Sequence, residues 1–269
     1  MTRPVPLAQA RVESLYGGKS ASLSRAIRAG LPVPPGFALS VSAVNSVVAA
    51  SEGTLIALGK ILSELGGALA VRSSAVGEDD QTTSFAGQHA TVLNVQSHDA
   101  LVDAINEVYR SAHSASALAY RVRLGISAAP KIGVTVQRLI DAQSAGVMFT
   151  HNPASGAQER VIEASWGLGE VVVSGLVVPD SYRISATGEI LERTPGEKDV
   201  ALRPSANGGT EEVSVGQHDA HTLALDNGRL AQLHQLAVRC EIEYGQRLDI
   251  EWAFTNEQLY LLQCRGITR

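Results

Sequence analysis

The stretch LDIEWAFTNEQLYLLQCR, residues 248–265, predicts two β-strands joined by a turn. Because side chains alternate between the two faces of a strand, Asp249 and Glu251 lie on one predicted face of the first strand. The opposite face is apolar and carries Ile250, Trp252 and Phe254. The first strand is therefore predicted to be packed on one side and polar on the other.

The second strand alternates in the same way, with Gln263 and Arg265 on one predicted face and Tyr260, Leu262 and Cys264 on the other. A turn with an odd number of residues, such as 256–258, sets Glu251 opposite Gln263 and Asp249 opposite Arg265, whereas a four-residue turn would set Glu251 opposite Leu262. Carboxylate and amide oxygens bind Mg²⁺ that also keeps waters and phosphate oxygens. The hairpin predicts a nucleotide–metal site, and the alternative is an exposed polar face with a surface ion pair.

Composition limits the kind of protein. The chain has 269 residues, of which 45% are hydrophobic and 18% charged, with a formal net charge of -5. It lacks any run of Lys or Arg longer than a pair, so we expect no nucleic-acid partner and no membrane partner. The longest apolar run, VVVSGLVV at 171–178, is far shorter than the roughly 20 residues of a membrane helix, which predicts a cytoplasmic protein. Cys240 and Cys264 form no C-x-x-C pair and are expected to be reduced.

The order of helical and strand patterns predicts the α+β class. Helices are predicted at 19–29, where Gly30 ends the helix, after Ser97, and at about 228–244. Strands are predicted at 37–40, 69–72, 90–95, 132–140, 146–150, 160–164 and 182–185. This irregular order lacks the steady βα alternation of a doubly wound sheet, and it favours two α+β lobes.

The segment SLYGGKSASLSRAIRAGLPVPPGF, residues 14–37, places Gly-Lys-Ser at a predicted helix start. The common phosphate-loop pattern, G-x-x-x-x-G-K-[ST], needs glycine at position 13, where this chain has Glu13. A carboxylate there is unfavourable both for the backbone and for bound phosphate. The segment is therefore not a loop of that type, and a solvated surface role for Lys19 is the alternative to another phosphate-binding design.

Six blocks in order resemble the nucleotide-binding part of the phosphoenolpyruvate synthase, pyruvate phosphate dikinase and rifampin phosphotransferase family. They are GGKSASLSRAIRAGLPVPPGF, AVRSSAVGEDDQTTSFAGQHATVLNV, GVMFTHNPASG, VIEASWGLGEVVVSGLVVPDSY, GEKD and DIEWAFTNEQLYLLQCRGIT. The resemblance implies an α+β ATP-grasp fold in which ATP lies between two lobes. We expect the N-terminal lobe at 1–138 and the C-terminal lobe at 139–269.

The resemblance also implies roles for charged residues. The lysine of the family's Gly-Gly-Lys motif corresponds to Lys19 and the arginine of its Val-Arg-Ser motif to Arg72, and both would neutralise the triphosphate. Arg265 matches the arginine of the Gln-x-Arg motif and is expected to stabilise the phosphoryl group in transfer.

The remaining expected contacts concern metal and nucleotide. The family's Mg²⁺ ligands correspond to Glu251 and Gln263, and we place Asp249 of the same hairpin face with them. Gln137 matches the hinge segment beside adenine. Gly87 and Thr91 match the glycine-loop strip over the phosphates.

The family's carrier motif, of the type Thr-Ser-Gly-Gly-x-x-x-His, is absent from these residues. We therefore expect a phosphotransferase component that forms AMP from Mg-ATP and passes phosphate to a histidine carrier on a separate chain. One alternative is a self-sufficient small-molecule kinase, acting directly or through His151. The others are a catalytically silent ATP-binding regulatory module and an excised domain of a longer protein.

Overall fold

The computed structural model describes residues 3–77, 90–123, 129–256 and 258–267. The first half of the chain builds an antiparallel sheet of five strands in the order β1-β2-β5-β3-β4. Its strands and helices, in chain order, are β1 (Val5–Pro6), α1 (Glu13–Tyr16), α2 (Gly18–Arg28), β2 (Gly36–Leu39), α3 (Val41–Val48), α4 (Glu52–Leu65), β3 (Leu69–Ala75), β4 (Thr91–Val95), α5 (His98–Ala112), α6 (Ala115–Arg123) and β5 (Ile132–Arg138).

Helices α3, α4 and α5 pack their apolar residues against this sheet. The start of α5 is fixed as the sequence predicts, because the Ser97 side chain accepts a hydrogen bond from the Ala100 N–H. Ser40 caps α3 through the Ala43 N–H in the same way. The sequence analysis did not predict α3 and α4, although their buried residues, such as Val44 and Leu58, form much of this core.

The second half builds a six-stranded antiparallel sheet in the order β13-β12-β6-β7-β8-β9, with a separate hairpin of β10 and β11. Its elements are β6 (Ser144–Phe149), β7 (Glu159–Trp166), α7 (Glu170–Val173), β8 (Asp180–Ser185), β9 (Ile190–Thr194), β10 (Val200–Pro204), β11 (Thr210–Ser214), α8 (Gln217–His221), α9 (Asn227–Tyr244), β12 (Leu248–Thr255) and β13 (Gln258–Gly266). Helix α9 covers one face, above Trp252 and Phe254, which are fully buried. Antiparallel sheets with helices packed on them confirm the predicted α+β class.

The hairpin of β12 and β13 has the predicted partners but a different turn. Thr255 pairs with Gln258, so two residues connect the strands, and the odd turn proposed at 256–258 is wrong. An even turn alone would place Glu251 opposite Leu262. A shift of register between Glu251 and Trp252 restores the pairing of Glu251 with Gln263.

The same bulge corrects the predicted faces of β13. Leu261 and Cys264 are buried in the core under α9. Tyr260 and Leu262 instead pack against a smaller cluster around Ile140. Side chains cannot keep alternating between the two faces of β13 through the extra residue of the bulge. The prediction that Tyr260, Leu262 and Cys264 share one face is therefore wrong.

Within the described residues, no single helix is long and apolar enough to cross a membrane, and only the bent pair of α3 and α4 meets the length and composition criteria jointly.

Candidate active site

A close backbone contact fixes the start of α2. Gly17 has φ of +80°, and a Cβ at this position would lie 1.8 Å from the backbone oxygen of Ser74 on β3. The Ser20 N–H donates to Ser74 Oγ at 2.9 Å, and the hydroxyls of Ser20 and Thr135 lie 2.7 Å apart. Only glycine fits here, because it has no Cβ and tolerates the left-handed region. The second residue of α2, Lys19, is thereby held at a defined place beside the first sheet.

Lys19 extends from this helix to the second sheet. Its Nζ donates a hydrogen bond to Oε1 of Gln263 on β13. One turn further along α2, the Ser22 hydroxyl donates to the backbone oxygen of Cys264 at 2.8 Å. A side chain of the first half of the chain and the polar face of the C-terminal hairpin therefore meet at one point.

Asp249 and Arg265 form an ion pair on that polar face. Arg265 donates to Oδ2 of Asp249 through Nε at 3.0 Å and through Nη2 at 2.7 Å. Oδ1 of Asp249 is buried and has no hydrogen-bond partner among the described residues. Burial raises the pKa of Asp249, Arg265 opposes this rise, and the Glu251 carboxylate adds to it. The aspartate therefore has an unsatisfied buried oxygen and a second carboxylate, Glu251, nearby.

Arg72 brings a cation from β3 to the same place. Its Nη1 donates to the backbone oxygen of Leu262 at 3.1 Å and lies 3.7 Å from Oε2 of Glu251. Leu262 is the residue that the bulge leaves without a cross-strand partner. Arg72 is itself buried, so its guanidinium has a restricted position.

A pocket adjoins this cluster. It is narrow and partly open to solvent, and its polar lining includes Arg72, Gln137 and Glu170. The Gln137 amide donates to the backbone oxygen of Pro34 at 3.2 Å. The apolar lining comes from both halves of the chain and consists of Pro34, Ala70, Leu93, Leu139, Ile140, Ala142, Leu168, Ala253 and Leu262. An apolar slot that ends in a cluster of cations and carboxylates suits a flat ring joined to phosphates.

The family model described as pyruvate phosphate dikinase, AMP/ATP-binding domain, matches residues 56–269. The chain belongs to this family. The predicted resemblance to the family's ATP-binding domain is therefore confirmed.

Similar proteins are longer than this chain. It is 34% identical over 301 residues to a probable phosphoenolpyruvate synthase of Methanothermobacter thermautotrophicus, covering 94% of this chain and 44% of that protein. It is 37% identical over 280 residues to the prodigiosin synthesizing transferase PigC of Serratia marcescens, covering 94% and 31%. It is 32% identical over 298 residues to a rifampicin phosphotransferase of Streptomyces sviceus, covering 95% and 34%. The chain thus spans less than half the length of each of these relatives.

The polar hairpin face of this pyruvate phosphate dikinase-type domain fits a Mg²⁺ ion shared with phosphates. Glu251, Asp249 and Gln263 offer hard oxygen ligands, and the buried Oδ1 of Asp249 lacks a partner among the described residues. A cation or an ion-bound water there would relieve the cost of that unpaired oxygen. The part of the chain that the structure describes has no group of three or more His, Cys, Asp or Glu side chains able to hold a metal. Waters and nucleotide phosphates would have to complete the coordination.

Glu170 belongs to the site, although the sequence analysis did not select it. Burial raises the pKa of its carboxyl, the nearby charge of Arg72 opposes the rise, and Glu251 adds to it. The available signal was the segment EASWGLGE at 163–170, in which a carboxylate follows a glycine turn at the end of a strand. The GxG fragment alone was too common to single it out.

The other predicted residues fall in three places. Thr91 is exposed and pairs with Arg72 across β3 and β4, at the edge of the site. Gly87 lies outside the described residues. Nδ1 of His151, the histidine considered as an alternative carrier, is buried and has no hydrogen-bond partner in the described part of the chain.

Proposed function

We propose that this chain binds Mg-ATP between an N-terminal lobe, 1–138, and a C-terminal lobe, 139–269, and serves as the ATP-dependent half of a phosphotransferase. The proposal rests on one observation: Lys19 meets Gln263 of the hairpin that also carries Glu251 and Arg265. Three cations and three oxygen ligands from opposite ends of the sequence converge there. A merely solvated polar face would not require such long-range convergence.

The proposed reaction forms AMP. A carrier imidazole nitrogen attacks the β-phosphorus of ATP, the N–P bond forms, and the bond from that phosphorus to the oxygen bridging it to the α-phosphate breaks. The electron pair of that bond leaves on AMP, the histidine carries the β- and γ-phosphates together as a pyrophosphoryl group, and the imidazole proton passes to solvent. Negative charge grows on the phosphate oxygens, where Lys19, Arg72 and Arg265 would stabilise it.

Mg²⁺, when bound by Glu251, Gln263 and Asp249, would neutralise phosphate charge and align the chain of phosphates. Two side-chain contacts would also position the groups around the ion. Arg265 holds Asp249 through two N–H groups, and the Lys19 contact orients the Gln263 amide oxygen. Gln137 and the apolar pocket would hold the adenine ring.

We further propose that the carrier histidine lies outside these 269 residues, on a phosphohistidine domain that a separate protein can supply. The motif Thr-Ser-Gly-Gly-x-x-x-His is absent from these 269 residues, and the relatives named above are much longer. The final phosphate acceptor would then be bound outside this domain.

The test is the identity of the product. The protein is incubated with Mg-ATP labelled at the β-phosphate and with a candidate phosphohistidine-domain protein, and nucleotides and proteins are separated. We expect AMP together with acid-labile label on the partner's histidine. Formation of ADP with a small acceptor and no carrier would refute the proposal, as would binding of ATP without any turnover with every candidate carrier.

Two variants make this test specific. Glu251→Gln removes a carboxylate of the proposed metal site and should lower AMP formation by about 10²-fold or more. Glu64→Gln is the matched control, because Glu64 is exposed on α4. Equal activity in the two variants would exclude the proposed role of Glu251.

A further inference from the structure

Asn94 has an unusual backbone and is almost completely buried. It lies on β4, the edge strand of the first sheet, with φ of +58° and 1% exposure. The pairing of β3 with β4 shifts register between Leu69 and Val71, so β4 carries a bulge at this point. Asparagine is one of the few non-glycine residues that adopt the left-handed region without a large cost. A bulge redirects a side chain, and here the Asn94 side chain is directed away from the ladder.

That side chain binds the turn of the β10–β11 hairpin, residues 205–209. Its Nδ2 donates to the backbone oxygens of Ser205 and Gly209, each at 2.6 Å, and its Oδ1 accepts from Gln96 Nε2 at 2.9 Å. The Gly209 N–H donates in return to the Asn94 backbone oxygen at 3.3 Å. Both amide hydrogens of Asn94 are therefore used to hold one turn of the second half of the chain against the first sheet.

The hairpin carries this contact to the nucleotide pocket. The backbone oxygen of Leu202 on β10 accepts the Leu168 N–H at 3.0 Å. Gly167 fits against that oxygen so closely that a Cβ would lie 2.4 Å from it. Leu168 packs with Leu93 in a cluster that lines the pocket, and Glu170 follows two residues later.

We propose that Asn94 is a positioning residue for nucleotide binding. It fixes the hairpin turn to β4, and β10 then sets the apolar wall formed by Leu93 and Leu168 and the place of Glu170 beside Arg72. This inference rests on the proposed function, since it concerns the same nucleotide pocket, but it assigns a role to a residue that need not touch the nucleotide.

Isothermal titration with Mg-ATP and with AMP tests the proposal. Asn94→Asp keeps the size of the side chain and its tolerance for positive φ. It replaces the amide N–H donors with a carboxylate oxygen, which the backbone oxygens of Ser205 and Gly209 would repel. We expect binding of both nucleotides to weaken by about tenfold or more and by a similar factor, because the wall beside the ring is displaced. Asn94→Gly keeps the backbone and removes only the side chain, and it should weaken binding by a smaller factor. Asn45→Asp is the matched control, because Asn45 is exposed on α3.

Circular dichroism identifies the variants that fold. If Asn94→Asp does not fold, the nucleotide affinity of Asn94→Gly decides the test. Hydrogen exchange on the wild-type protein needs no variant: Mg-ATP should increase protection of the Gly209 and Leu168 amides together. Folded Asn94 variants with wild-type affinity, or unchanged exchange at those two amides, would overturn the inference. Failure of the wild-type protein to bind Mg-ATP would instead refute the proposed function.

Discussion

Replacement of Lys19 by methionine tests the convergence of the two halves most directly. The ammonium group donates to Oε1 of Gln263, and the helix that carries it is fixed by the contact of Gly17 with Ser74. A hydrogen bond to a charged group contributes about 1.5–3 kcal/mol, which corresponds to roughly 10- to 150-fold in affinity. We therefore expect Lys19→Met to weaken Mg-ATP binding by a factor in that range. AMP lacks the terminal phosphates, so its binding should change by less than about threefold, since the proposed contact is absent.

The fold should tolerate this change. The buried residues of α2, such as Leu23 and Ala26, lie on another part of the helix and remain in place. Loss of the ammonium leaves the Gln263 amide oxygen without its donor. Because water from the cleft can bind this oxygen instead, the free energy of unfolding should fall by no more than about 1 kcal/mol. Urea denaturation should show a small shift.

The assay is isothermal titration of the wild-type protein, Lys19→Met and Lys60→Met with Mg-ATP and with AMP. Lys60 is exposed on α4 and provides a matched loss of charge. Wild-type affinity of Lys19→Met for Mg-ATP would refute the reasoning. An equal loss for ATP and AMP would also refute it, because it would place Lys19 beside the adenosine half.

Four further results are expected. Gly17→Ala should lower the free energy of unfolding in urea by about 2–4 kcal/mol, because its Cβ meets the Ser74 oxygen at 1.8 Å and φ is +80°; a stable variant would contradict this. Arg265→Lys should reduce AMP formation by about 10²-fold, because one ammonium cannot reproduce the two N–H contacts on Asp249; near-normal turnover would count against the role. Glu170→Gln should raise the melting temperature of the nucleotide-free protein at pH 8. Burial raises the pKa of Glu170 in the folded protein above its unfolded value of about 4.5, so the charged carboxylate destabilises the fold. The gain in melting temperature on replacing Glu170 by glutamine is therefore present above the folded pKa and disappears below about pH 4.5. The same gain at pH 4 would refute this reasoning. Removal of Mg²⁺ with EDTA should abolish turnover and change the nucleotide-free melting temperature little, because without nucleotide phosphates the proposed site offers the ion only two carboxylates and one amide.

Local periodicity predicted much of the fold. The helix after Ser97, its serine cap and the alternation of faces along β12 follow from spacing alone, and each matches the structure. Helices α3 and α4 lie between the proline turn and β3, a stretch to which the sequence analysis assigned no element. Their Val- and Leu-rich faces give a helical signal that could have been used.

The candidate site was partly predictable for the same reason. Strand parity selects Glu251 and Gln263, and the family resemblance selects Lys19. No spacing rule places Lys19 beside Gln263, because the contact depends on the packing of α2 against β13. Glu170 was missed because its importance arises from burial next to Arg72, and burial of a carboxylate at a glycine turn has no local sequence signature.

The bulge in β13 explains why Glu251 pairs with Gln263 as predicted although the predicted three-residue turn is wrong. With a two-residue turn, a regular hairpin would oppose Glu251 to Leu262 and turn Gln263 away from the carboxylates. One extra residue in β13 restores the pair but leaves the Leu262 carbonyl outside the ladder, where an unpaired polar group would be costly. Arg72 donates to that carbonyl at 3.1 Å from the other sheet. The hydrogen bond from Arg72 to the Leu262 carbonyl therefore also places the guanidinium 3.7 Å from the Glu251 carboxylate. The bulge, which local sequence rules could not predict, thus joins the two sheets at the proposed phosphate site.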